Sequence, residues 1–113
     1  MSFLKYLIAA LLLLSSAAYA ADPGMPPQRF DHPYDGEVIP MQMSTQQRLQ
    51  NFCEDMGAKA NGSNILACSF IRRGRCYIFS VPEKDIEAWG YSLNTVMRHE
   101  RAHCNGWPPD HPR

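Results

Sequence analysis

The residues best equipped for chemistry lie in one short stretch. Arg98-His99-Glu100-Arg101-Ala102-His103-Cys104-Asn105-Gly106-Trp107 contains His-Glu-x-x-His, followed by x-x-Gly-Trp. On a helix, residues four apart share a face. His99 and His103 would then aim two imidazoles at one point, with the Glu100 carboxylate at its flank. Two neutral imidazoles beside a carboxylate are the parts of a hydrolytic zinc site. The ion acidifies a water, and the carboxylate takes its proton. So short a pattern also arises by chance on exposed helices. Here the context is denser, because three of the four histidines, His99, His103 and His111, fall within the last 15 residues.

The stretch resembles the active-site helix of zincin metallopeptidases, and the resemblance is confined to about a dozen residues. It implies that His99 and His103 ligate Zn2+ and that Glu100 is the general base. Glu100 would polarise the water and later pass a proton to the leaving amine. The implied activity is hydrolysis of peptide bonds in a peptide or protein substrate. Gly106 also stands where zincins of the metzincin type end the helix sharply. Two features depart from that type. No Met follows Met97, so the Met-containing turn is missing, and the position of the third ligand is taken by Pro109. A catalytic zinc usually has three protein ligands. His111, carried back by an extended Pro108-Pro109 segment after a reversal at Gly106, is the expected third. His32 or a carboxylate of the N-terminal segment are its rivals.

These residues need a helix, and the local signals supply one. Ser92 reads as the N-cap of a helix running to about Cys104. Leu93, Val96 and Met97 would face the core. Gly106 closes the helix, and Pro108-Pro109 forbids its continuation. An earlier helix is expected from Thr45 to Met56. Ser44 and Gln47 form a capping-box pattern, Leu49, Phe52, Cys53 and Met56 an apolar stripe, and Gly57 the stop. Ile65–Ile71 and Cys76–Val81 read as the strands of a hairpin around Arg72-Arg73-Gly74-Arg75. Glu83 to Trp89 fits either a short helix or an irregular connection. Residues 21–43 carry Pro23, Pro26, Pro27, Pro33 and Pro40 and read as a Pro-rich arm, with a short strand at Glu37-Val38-Ile39. The expected fold class is α+β, a small zincin-like domain over residues 44–113.

Composition sets the surroundings. Lys5, the apolar run Leu7–Leu14 and Ala18-Tyr19-Ala20 form a signal-peptide pattern over residues 1–20. The apolar run is shorter than the ~20 residues of a spanning helix, so no stable membrane anchor is expected after cleavage. The expected location is exported, periplasmic or secreted. Cys53, Cys68, Cys76 and Cys104 suggest two disulfides, with three connectivities open. Eleven Lys and Arg balance eleven Asp and Glu. That balance argues against nucleic acid as a partner. Arg72, Arg73 and Arg75 read as a solvated hairpin tip. Two other readings stand beside the peptidase. One is a non-enzymatic zinc-binding accessory protein of the envelope, and the other a disulfide-stabilised binding module without metal.

Overall fold

The computed structural model describes residues 24–113, so the expected signal peptide lies outside the described residues. They form a small α+β domain with a three-stranded sheet and three α-helices. In chain order these are β1 (Val38–Gln42), α1 (Gln46–Asp55), β2 (Ala67–Arg72), β3 (Arg75–Ser80), α2 (Glu83–Ala88) and α3 (Leu93–Cys104). A single 3-10 turn, Gln28–Phe30, precedes β1.

The sheet order is β1-β3-β2. β2 and β3 form the expected hairpin, with Ser69 opposite Ile78 and Phe70 opposite Tyr77. Its two-residue turn places Arg73 and Gly74 at φ +53° and +76°, the left-handed pair that matches strand twist. β1 runs parallel to β3, from Val38 opposite Cys76 to Gln42 opposite Ser80. The short strand expected at Glu37–Ile39 runs instead over Val38–Gln42 and pairs within the sheet. Pro40 does not break it, because β1 is an edge strand, where a missing N–H need not interrupt a ladder.

Each longer helix begins at a hydroxyl cap. The Thr45 side chain accepts from Arg48 N at 3.2 Å, so Thr45, not Ser44, caps α1. The Ser92 side chain accepts from Thr95 N at 3.1 Å at the start of α3. α3 ends as its sequence predicts. Gly106 sits at φ +104°. Its N–H bonds His103 O and that of Trp107 bonds Ala102 O, each at 3.0 Å. Glycine enters this conformation without a Cβ penalty, and the paired bonds satisfy carbonyls the helix leaves open. Glu83–Ala88 is a short helix, deciding the open choice there.

α3 lies over β2 and β3. Leu49, Cys53, Val81, Ile86 and Val96 form one buried apolar cluster. Cys76, Ile78 and Cys104 form a second, with Tyr34, Val38 and Met97 against it. Two disulfides fasten these regions, Cys53–Cys68 and Cys76–Cys104. They close spans of 15 and 28 residues, worth about 3 to 4 kcal/mol each by loop closure. A pair of disulfides fits an oxidising, non-cytosolic setting. No helix among the described residues is long and apolar enough to cross a membrane.

Candidate metal centre

The last two turns of α3 and the tail behind it converge three imidazoles. His103 Nε2 lies 3.3 Å from His99 Nε2 and 3.1 Å from His111 Nε2. His111 Nε2 lies 3.1 Å from His99 Nε2. Helical spacing accounts for His99 and His103. His111 arrives by a different route from the extended one expected of a diproline. Its N–H bonds Pro108 O at 3.0 Å, closing a tight turn, and its φ is +58°. A non-glycine residue in that conformation is held there by its surroundings. Trp107 supplies part of the hold. Its buried indole packs against His99, His103 and His111 with ring centroids 4.8–5.0 Å apart. Its Nε1–H donates to Pro112 O at 2.8 Å, which ties the tail down.

The partners of the other ring nitrogens set the tautomers. His99 Nδ1 is 2.6 Å from Gly24 O, and His103 Nδ1 is 2.7 Å from Trp107 O. A carbonyl can only accept, so each Nδ1 carries a hydrogen. In the neutral ring, each Nε2 then presents a lone pair inward. Lone pairs this close repel one another unless a cation or proton lies between them. A tetrahedral ion with metal–nitrogen bonds of about 2.0–2.1 Å sets its ligand nitrogens roughly 3.3–3.4 Å apart. The three histidines therefore fit a metal ion in spacing and donor type, and the two on α3 in tautomer, so this group could hold one. Burial lowers the pKa of all three rings, and burial is the first cause in each. The hydrogen bonds to Gly24 and Trp107 act against it at His99 and His103. Neutral rings are the state a metal requires.

Glu100 is buried beside this group, with Oε2 4.0 Å from His99 Nε2. Ser69 on β2 fixes its other end. Ser69 Oγ is 3.0 Å from both Glu100 Oε1 and Glu100 O. Burial pushes the Glu100 carboxyl up, against the pull of His103 and the Ser69 hydrogen bond. The cluster thus combines three converging Nε2 atoms with a carboxyl group held at its side.

His32 stands apart from the three rings. Its Nδ1 contacts Pro33 O at 3.0 Å in an exposed loop. Several contributors carry no local sequence signal. Gly24 and Ser69 act through position alone. Asp31 binds Arg98 and faces Arg101 on α3. Trp107 is buried and backs the imidazoles. No protein-family model, curated protein or solved structure matches this chain.

Proposed function

We propose that this chain is an exported zinc-dependent metallopeptidase, a small and divergent zincin-like hydrolase of peptide bonds. The observation that carries the reading is the inward convergence of three Nε2 atoms at 3.1–3.3 Å beside a buried carboxylate. In this reading His99, His103 and His111 hold the ion, and the open side of the site receives a peptide carbonyl. When bound, zinc supplies Lewis acidity that polarises that carbonyl. Glu100 would take a proton at Oε2 from the attacking water as its oxygen adds to the carbonyl carbon, and would return that proton to the amine as the C–N bond breaks. Its burial favours this role, since a carboxyl with a raised pKa is a stronger base nearer neutral pH. Ser69 keeps Oε1 occupied, so Oε2 is the oxygen facing the imidazoles. Trp107 closes the rear of the site against water.

Export rests on the leader-like residues 1–20 together with two disulfides. A second reading has its own support. Glu100 is only 6 % exposed and tied to a strand hydroxyl, which also suits a zinc staple with no catalysis. Glu100→Gln separates the two. Elemental analysis should find zinc in wild type and variant alike. Cleavage of a mixed peptide library should fall at least ~100-fold in the variant. Zinc-loaded wild type that cleaves no peptide would favour the staple, and activity surviving in Glu100→Gln would remove Glu100 as the base.

A further inference from the structure

The segment before the sheet, residues 24–32, runs along α3 and the tail. Its anchors are unusually many for so short a piece. Gly24 O accepts from His99 Nδ1 at 2.6 Å. Met25 O accepts from Arg113 Nη1 at 2.7 Å. Pro26 is buried. The Asp31 carboxylate takes Arg98 Nε at 3.2 Å and Arg98 Nη2 on its other oxygen. Asn105, at the end of α3, donates its side-chain N–H groups to Phe30 O at 2.9 Å and His32 O at 2.6 Å. The Phe30 ring lies against Gly106, where an added Cβ would sit 3.9 Å from it. The strap's polar anchors therefore fall on a candidate ligand, on residues flanking the ligands, or on the tail that carries the third one.

We propose that residues 24–32 are a positioning strap for the metal centre, so that occupation of the three histidines and docking of this segment stabilise each other. The inference rests on the metal-site reading above but not on catalysis. The physical link is the Gly24 carbonyl. It holds His99 in the tautomer that presents Nε2 and fixes the rotation of the ring. Outer partners of this kind are worth ~10- to 100-fold in metal affinity. Asp31 and Asn105 hold the strap so that Gly24 meets the ring, and they do so without touching the ion. Linkage makes the effect reciprocal: whatever the docked strap adds to affinity, the bound ion adds to docking.

Two arms test this in the full mature chain. In the first, zinc affinity is measured by competition with a chromophoric chelator for wild type and for the double variant Asp31→Ala, Asn105→Ala. The expected result is a loss of about tenfold or more with both disulfides formed and the far-UV spectrum unchanged. In the second, hydrogen exchange of wild type is followed with and without zinc. The Phe30 and Asp31 amides, bonded to Pro27 O and Gln28 O, should exchange more slowly by a comparable factor when zinc is present. Affinity within twofold of wild type in a folded double variant would overturn the proposal. So would strap exchange indifferent to zinc, and this arm decides alone if the variant fails to fold. Wild type that binds no zinc would end the metal reading and this inference together. A failure to cleave peptides would touch neither arm.

Discussion

The two ends of α3 are built on different physics. Its first half sends Leu93 and Val96 into the apolar cluster with Leu49, Val81 and Ile86. Side chains there are held by exclusion from water, and no titratable group is among the buried members. Its second half, from His99 to Cys104, carries polar groups held by named partners, Gly24 O for His99, Ser69 Oγ for Glu100 and Trp107 O for His103, beside a buried Arg101 Nε that has none among the described residues. The Cys76–Cys104 disulfide then fixes that end to β3. One helix thus joins a region whose stability comes from burial to a region where burial is a cost that partners must offset. The difference teaches where sensitivity to pH and metal should reside: at the polar end and not at the apolar one.

The sharpest break of this comparison uses one substitution at each end. Leu49→Ala should cost about 2–5 kcal/mol of unfolding free energy while leaving zinc affinity of the folded protein within twofold. His103→Ala should lower zinc affinity by at least ~100-fold while moving metal-free stability by about 1 kcal/mol or less. Urea unfolding and chelator competition on both variants check this. A loss of zinc affinity in folded Leu49→Ala would show that the ends are not separable.

Acidity should act on the polar end alone. The three cluster histidines have lowered pKa values in the folded state, burial being the main cause. As pH falls below about 6.5, the unfolded chain takes up protons that the folded rings resist, so stability falls. Glu100 has the opposite sign. Its raised carboxyl favours the fold at low pH, and that contribution is lost as pH rises through the folded value. Metal-free Glu100→Gln should therefore show a higher urea midpoint than wild type at pH 7.5. The gap should close toward pH 4, and zinc should narrow it at neutral pH by setting a cation beside the carboxylate. Equal midpoints at pH 7.5 without metal would contradict the burial cost assigned to Glu100.

The smallest effect should come from the hairpin tip, which belongs to neither end. Arg75 pairs with Glu37 at 3.3 Å with both side chains more than half exposed. Arg75→Ala should change stability by no more than about 0.5 kcal/mol and leave zinc affinity unaltered. Thermal unfolding at low and high salt is the check, and a change above 1 kcal/mol would mean that the tip is tied to the fold more firmly than its exposure implies.

Local code accounts for much of the scaffold. Ser92 and Gly106 bound α3 as written, and Arg73-Gly74 marks the hairpin turn. Errors fall where two local signals compete. Ser44 and Thr45 are adjacent hydroxyls, and only the folded backbone selects Thr45 as cap. Pro40 reads as a breaker until the sheet order puts β1 at an edge. The disulfide pairing was open for a similar reason, since cysteine count carries no information about which pairs approach.

By itself, the sequence determined that His99, His103 and Glu100 share one end of a helix, because the 3.6-residue repeat and the Gly106 stop are local properties of the chain. It also placed His111 within reach, though not by the turn it takes. Only the tertiary structure decided which nitrogen His99 presents, because that depends on the carbonyl of Gly24, 75 residues away in sequence; His103 is oriented locally, by the carbonyl of Trp107 four residues on. The tertiary structure also decided that Glu100 is buried against Ser69, 31 residues distant. A tautomer and a buried charge state are set by what lies on the far side of a ring or carboxylate. Helical periodicity says nothing of that neighbour until the chain has folded back on itself.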